Sequence, residues 1–179
     1  MPKKRSVSMA RPTLHLVCVC LALSPALAQQ TKPVEPESMG IVYLLDPSDH
    51  TLKALPRESA KVVTRRGWSK ARGVIQIAEP ASAFRLKSGS DLVFVVKCTN
   101  PESLSLYEFT KKGKNREADV STVKQGMFHG PTLEHVDGIT LDVSKYGELS
   151  YRFAVKALEP GEYGFVTGWN VFHFGVDPK

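Results

Sequence analysis

Two histidines and a glutamate in one short segment have side chains that can bind a transition metal. His129 and His135 carry imidazoles, and Glu134 carries a carboxylate. These are the ligand types of zinc and copper sites in proteins. The two histidines are six residues apart, which is not a tight spacing for two ligands on one strand or helix. A further ligand must come from another part of the chain, and His50 and His173 are candidates. We expect no cofactor and keep zinc or copper as the alternative.

A second candidate site is a tryptophan framed by basic residues. Trp68 follows Arg65 and Arg66 closely in the sequence. An exposed indole in this setting can stack on a sugar ring, and the cations beside it can hold an acidic polymer. Trp169 raises the same question with fewer basic neighbours. The favoured interpretation is that the indole packs on the edge of the fold while the arginines only keep the loop hydrated.

The densest run of positive charge comprises Lys111, Lys112, Lys114 and Arg116. A nucleic acid or a membrane surface would be bound by such a run. Gly113 lies in the middle of it and can adopt the positive φ that a tight turn requires. The pattern therefore favours a β-hairpin whose basic side chains are hydrated at its tip.

Catalytic motifs with fixed spacing are missing from the sequence. It contains no G-x-S-x-G nucleophile elbow, no Walker-type phosphate loop, no H-E-x-x-H and no C-x-x-C. Active sites on β-folds are often assembled from residues that are far apart in sequence. Enzymatic activity therefore stays open, and a non-catalytic protein is the favoured interpretation.

Residues 1–28 have the three zones of a secretory signal peptide. Basic residues come first, an apolar stretch from Leu14 to Leu23 follows, and Ala26 and Ala28 are the small residues that a signal peptidase reads. A membrane-spanning helix needs about 20 apolar residues, roughly twice the length of this stretch. We predict cleavage before Gln29, export to the periplasm or the medium, and no transmembrane anchor.

Removal of that segment changes the charge and the cysteine content. The sequence has 24 Lys and Arg against 18 Asp and Glu, and four of the basic residues precede Gln29, which leaves 20 against 18, a balance of +2. A nearly neutral chain argues against nucleic-acid binding. Cys98 is the single remaining cysteine, so no intramolecular disulfide is available. Its position in phase with apolar residues predicts a buried, inert thiol.

The rest of the chain predicts a flexible leader at 29–39 and one all-β domain at 40–179. Short apolar or alternating runs separated by turn residues predict antiparallel strands packed as a β-sandwich, immunoglobulin-like or jelly-roll-like, with few or no helices. Single helical turns are expected at most at Pro56–Thr64 and Ser144–Gly147. The predicted strands are Ile41–Leu45, Thr51–Leu55, Gly73–Ala78, Ala83–Leu86, Asp91–Cys98, Leu104–Thr110, Asn115–Thr122, Ser150–Ala157, Glu162–Thr167 and Trp169–Val176.

Two finer expectations concern the C-terminal third. Pro160 and Gly161 fit the central pair of a type II turn, because proline presets φ and glycine accepts a positive φ. The last predicted strand, Trp169–Val176, is a candidate edge for β-augmentation by a partner.

The segment Leu158–Tyr163 (LEPGEY) resembles the tyrosine corner of fibronectin type III and immunoglobulin-like domains. In those domains the tyrosine hydroxyl bonds back to nearby backbone where the chain crosses between sheets. The tail from Arg152 to Asp177 also resembles the endings of uncharacterised exported bacterial proteins. The resemblance implies a β-sandwich and no particular activity.

These observations predict an exported, non-catalytic β-sandwich with a binding or structural role in the cell envelope. A protein or a glycan is the expected kind of partner. If a ligand surface exists, we expect it on the loops with Trp68 and its arginines. The alternative is a secreted metal-binding protein or metal-dependent hydrolase that uses His129, Glu134 and His135.

Overall fold

The structure is a computed structural model that describes residues 34–67, 70–89, 91–124 and 132–179. The predicted signal peptide, Trp68 and His129 lie outside the described residues. Fourteen β-strands and one 3-10 turn, Pro101–Ser103, occur within them. The strands are β1 (Val42–Leu45), β2 (Leu52–Ala54), β3 (Arg57–Ser59), β4 (Lys61–Arg66), β5 (Lys70–Ala78), β6 (Arg85–Lys87), β7 (Leu92–Lys97), β8 (Ser105–Lys112), β9 (Asn115–Lys124), β10 (Thr132–His135), β11 (Asp142–Lys145), β12 (Ser150–Val155), β13 (Gly161–Thr167) and β14 (Asn170–Asp177).

The strands form two sheets, which confirms the predicted all-β antiparallel sandwich. One sheet has five strands in the order β11-β12-β7-β1-β2. The other has nine, with the main order β3-β14-β13-β8-β9-β5-β4, and β10 pairs with β9. The pair of β6 with β14 is parallel, unlike its neighbours. The central place of β7 in its sheet and the burial of four of its six residues agree with its apolar sequence.

The sandwich core is built from aromatic rings of both sheets. Phe94 of β7 packs against Phe165 of β13 at 4.8 Å between ring centroids and against Phe174 of β14 at 5.1 Å. All three side chains are fully buried. Burial of one such side chain contributes about 1.5–3 kcal/mol, so these rings hold the two sheets together.

The larger sheet curls into a half-barrel with a second core inside. Its first and last strands in the main order, β3 and β4, are joined through the single residue Ala60, so one bent stretch of chain contributes to both edges. The buried residues inside are Ile75, Ile77, Phe109, Ala118 and Val171.

Strand β14 serves both cores. Phe172 and Phe174 point into the sandwich core, whereas Val171 belongs to the core of the half-barrel. The strand lies between β3 and β13. The prediction that the last strand is a free edge is therefore wrong, because strand pairing on both sides already uses its backbone.

Neither of the two expected helical turns forms, because most of Pro56–Thr64 is in β3 and β4, and Ser144 and Lys145 are in β11. Residues 57–59 pair with β14 and residues 61–66 pair with β5. Residues 142–145 pair with β12. Pairing with distant strands outweighs the weak local preference of these sequences.

Turn predictions had mixed outcomes. The hairpin of β8 and β9 is confirmed, and Gly113 at its turn has a φ of 63°. The prediction of a type II turn at Pro160 and Gly161 is wrong. Gly161 is the first residue of β13 and pairs with Val176, and its φ is not positive. Gly168, between β13 and β14, has the positive φ of 55° that a tight hairpin turn requires.

The Tyr163 hydroxyl donates a hydrogen bond of 2.9 Å to the Glu159 carbonyl. The side chain is otherwise buried in the sandwich core. This bond fixes the loop that leads into β13. Kinship with fibronectin type III domains stays a prediction.

Glu35 lies within the predicted leader and contacts the domain. Its carboxylate accepts hydrogen bonds from the Glu148 backbone N–H at 2.6 Å and the Ser150 hydroxyl at 2.9 Å. These bonds, the backbone one first, hold the pKa of Glu35 below its usual value. The boundaries of the leader and the domain stay predictions.

Candidate functional site

Two of the three predicted metal ligands can be placed. Glu134 and His135 are exposed neighbours on β10, and adjacent residues of a strand point to opposite faces. They therefore do not converge on one ion through local geometry. Within the described ranges, no three potential ligands from His, Cys, Asp and Glu cluster together. Since His129 lies outside those ranges, the metal site stays a prediction.

The two additional histidines lie in different surroundings. His50 is in the turn between β1 and β2, with a φ of 56°. His173 is buried in β14, and its Nδ1 is 3.4 Å from the Arg116 guanidinium and 2.9 Å from the Ser82 hydroxyl. A guanidinium at that distance opposes a metal cation on Nδ1.

The arginines near Trp68 are divided between two faces of β4. Arg65 forms an ion pair with Glu117 of β9, and Gln76 donates a 2.7 Å hydrogen bond to the same carboxylate. The bond from Arg65 is the main reason why the pKa of Glu117 lies below its usual value. Arg66 is exposed. Arg65 is thus already bound to a carboxylate within the sheet.

Trp169 is 69% exposed at the turn between β13 and β14. Its carbonyl accepts a 2.8 Å hydrogen bond from Ala60, just before β4. Arg65 is five residues farther along the chain, or about 17 Å in an extended strand. The structure does not bring Trp169 together with the predicted arginine pair.

One prediction about the basic run is wrong. Lys112 and Lys114 are exposed at the hairpin, but Arg116 is fully buried. Its guanidinium forms an ion pair of 3.0 Å with Glu162 and donates a 3.0 Å hydrogen bond to the Glu79 carbonyl. Arg116 points inward because it pairs with Ile77 on the inner face of the half-barrel.

The buried network continues from Arg116 through a histidine to a serine. His173 Nδ1 contacts Arg116 and Ser82, and its Nε2 is 3.9 Å from Glu58 Oε2. Burial, and then the Arg116 charge, lowers the pKa of His173. A neutral imidazole with its proton on Nε2 fits these contacts, because Nδ1 then accepts from both neighbours.

The same serine, histidine and glutamate have the residue types of a nucleophilic triad. Ser82 is only 4% exposed, however. Its hydroxyl also accepts a 3.1 Å hydrogen bond from the Phe84 N–H. The arrangement joins the loop before β6 to β14, and it does not present a nucleophile to solvent.

Cys98 is half-buried beside the sandwich core. Burial raises the pKa of its thiol above the usual value. Less thiolate is therefore present at neutral pH, which makes Cys98 a weak nucleophile.

A groove of about 450 Å³ lies where the two sheets separate beside β11. One wall comes from the 3-10 turn and the start of β8, and the other from β11 and β12. Its apolar lining consists of Pro101, Leu104, Ile139, Leu141, Val143 and Tyr151.

Polar groups of the groove lie among these apolar residues. Ser105, Ser144, Glu102 and Lys145 contribute to its lining. The Lys145 ammonium lies 4.4 Å from the centre of the Tyr151 ring. Apolar walls with a few polar groups are typical of ligand sites.

A second cavity of about 350 Å³, here called the polar cleft, lies where β8 and β9 diverge. Arg72 and Asp119 form an ion pair of 2.8 Å in its wall. The other residues of its lining are Tyr107, Glu108, Thr110, Lys112, Glu117, Val136, Asp137, Gly138 and Ile139.

Comparison with known proteins adds no family. No protein-family model matches the chain, and neither curated protein sequences nor solved structures give a match. Among the residues that the structure describes, no helix is long and apolar enough to cross a bilayer.

Proposed function

We propose that this protein is an exported, non-catalytic binding protein of the cell envelope that takes up an extended segment of a partner protein. The segment adds to the free edge of β11 and places an apolar side chain in the groove. The observation that carries the proposal is the position of the groove, which lies directly beside an edge strand.

The backbone of β11 supports strand addition. Among the described strands it pairs only with β12, so one row of its N–H and C=O groups faces outward. All four of its residues are exposed, including Val143 at 43%. An edge strand of this kind is a template for an incoming strand, whose main-chain hydrogen bonds supply affinity.

The groove supports recognition of a side chain. Its volume of about 450 Å³ falls within the range of about 300–1,000 Å³ that is usual for ligand sites. Leu104 at its base is nearly buried, and Ile139 and Leu141 pack against the sandwich core. An apolar side chain that enters here leaves water without displacing a polar partner.

Replacement of Val143 by aspartate tests this proposal. The full chain is used to select binders from a displayed library of random ten-residue peptides, and the selected peptides are then titrated by fluorescence anisotropy. The carboxylate places a charge in the apolar groove, so we expect Val143→Asp to lose at least about tenfold in affinity.

The matched control is Val62→Asp, because Val62 is an exposed valine of β4 in the other sheet. It should bind the peptides as the unmodified protein does. Equal binding by Val143→Asp and the unmodified protein contradicts the proposal. Concentration-dependent self-association that Val143→Asp abolishes also contradicts it, because a second copy is then the occupant.

Export is part of the proposal and has its own test. The N-terminal sequence of the protein recovered outside the cytoplasm is expected to start at Gln29. Recovery of the chain with Met1 intact in the cytoplasm would refute export and leave peptide binding to be judged separately.

A further inference from the structure

The groove and the polar cleft are consecutive along the same pair of chain segments. Along the start of β8, Leu104 and Ser105 line the groove, and Tyr107 and Glu108 line the cleft. Along the opposing segment the order is reversed: Val136 and Asp137 line the cleft, and Leu141 and Val143 line the groove. Gly138 and Ile139 line both. The two cavities therefore form one strip that is apolar at one end and polar at the other.

A close backbone contact fixes the boundary between them. The Ile139 N–H donates a 2.7 Å hydrogen bond to the Leu106 carbonyl. A Cβ at Gly138 would lie only 2.6 Å from the same carbonyl oxygen, so only glycine permits this approach. The spacing of the cavities is thus set by β8, where Ser105 and Glu108 are three positions apart, or about 10 Å in an extended strand.

Charge pairing within the cleft leaves two carboxylates available. Asp119 is paired with Arg72, and Glu117 is paired with Arg65. Glu108 and Asp137 are exposed, and neither has a polar side-chain partner among the described residues. Lys112 is the one lining cation of the described cleft without an ion-pair partner there. The two carboxylates and Lys112 together have a net charge of −1, which favours the binding of a cation.

We infer that the bound segment carries a lysine or an arginine three or four residues away from the apolar side chain that fills the groove. The apolar residue enters between β11 and β8, and the basic residue reaches Glu108 and Asp137 across the Leu106–Ile139 contact. This inference rests on the proposed function and adds the sequence pattern that the partner must have.

The peptide library gives the first test of this pattern. Sequences selected by the unmodified protein should be enriched in a basic residue three or four positions from a large apolar one. Titration of a selected peptide and of its Lys→Gln or Arg→Gln form should show a preference for the basic form. That preference should decrease at high salt, because exposed charges are screened.

The double variant Glu108→Gln/Asp137→Asn gives the second test. Its affinity for the basic peptide should decrease about two- to fivefold per carboxylate, as expected for exposed ion pairs. Its affinity for the neutral Gln form of the peptide should not change. The matched control is Asp91→Asn/Glu148→Gln, which removes two exposed carboxylates outside both cavities.

The outcomes separate the inference from the proposed function. Selection of apolar peptides with no basic preference, or unchanged affinity of the double variant, overturns the inference while binding in the groove stands. Equal loss in the control variant also overturns it, because the effect is then one of net charge. Binding that survives Val143→Asp overturns the proposed function, and the inference with it.

Discussion

Arg116 and Arg72 lie on adjacent strands of one sheet, and each binds a carboxylate, but their surroundings are opposite. Arg116 points into the half-barrel, has no exposed surface and binds Glu162 at 3.0 Å. Arg72 lies on the outer face, is 54% exposed and binds Asp119 at 2.8 Å. The distances are alike, so burial is what separates the two pairs.

An arginine–carboxylate pair contributes differently to stability when it is buried and when it is exposed. The guanidinium of Arg116 also contacts the Glu79 carbonyl and His173, so it joins the loop before β6 to β9, β13 and β14. Its loss would leave buried polar groups without a partner, which is costly. Arg72 and Asp119 remain hydrated when separated, so their pairing changes the free energy of unfolding little.

The largest expected effect follows from replacement of Arg116 by methionine. Breaking a buried pair costs about 3–5 kcal/mol, and we expect the lower end because Arg85 also binds Glu162. Urea denaturation should show a decrease of about 3 kcal/mol in the free energy of unfolding.

Lys114→Met is the matched control, since Lys114 is an exposed cation of the same hairpin. It should change the free energy of unfolding by less than about 0.5 kcal/mol. The double variant Arg116→Met/Glu162→Gln should recover part of the loss, because the carboxylate that has lost its Arg116 partner is then replaced by an uncharged amide. Equal small effects of Arg116→Met and Lys114→Met would show that burial does not increase the contribution of Arg116 to stability.

A smaller effect is expected from pH on the buried side. His173 faces Arg116, Glu162, Glu58 and Glu79, and its pKa in the folded protein lies below the ordinary 6.5, first because of burial and then because of Arg116. The unfolded chain therefore binds the proton more readily. Stability is fully present above about pH 6.5 and decreases as the pH falls from there towards the lower folded pKa.

Denaturation midpoints between pH 7.5 and 5 measure this dependence. His173→Asn, whose side-chain oxygen can accept from Arg116, should flatten the profile in that window. Carboxylates with lowered pKa, such as Asp46 at about 2, titrate below it. An unchanged profile in His173→Asn would assign the pH dependence to other groups.

The fold class and several of its elements were predictable from the sequence. Alternation and turn residues predicted the sandwich, the hairpin at Gly113 and the buried strand β7, because these depend on local pattern. The bent stretch of β3 and β4 was not predictable. Its residues form strands only because β14 and β5 lie beside them, and pairing between distant strands leaves little trace in a short polar sequence.

The candidate site was less predictable than the fold. Val143 and Lys145 lie in β11, part of which was expected to be a helical turn, and the groove exists only where two sheets separate. Arg116 looked like one more cation of a hydrated run. A signal was available, because alternation from Ala118 places residue 116 on the same inward face. The prediction for Arg116 followed its positive charge and not its position in the alternation of the strand.

The smallest expected effect is on the exposed side, where Arg72→Ala removes the pair with Asp119. Both side chains stay hydrated, so the free energy of unfolding should decrease by less than about 1 kcal/mol and by less still at high salt. Arg66→Ala, at an exposed arginine of β4, is the control for loss of charge alone. A decrease above about 2 kcal/mol, insensitive to salt, would mean that the outer pair is shielded from water and that exposure does not set its strength.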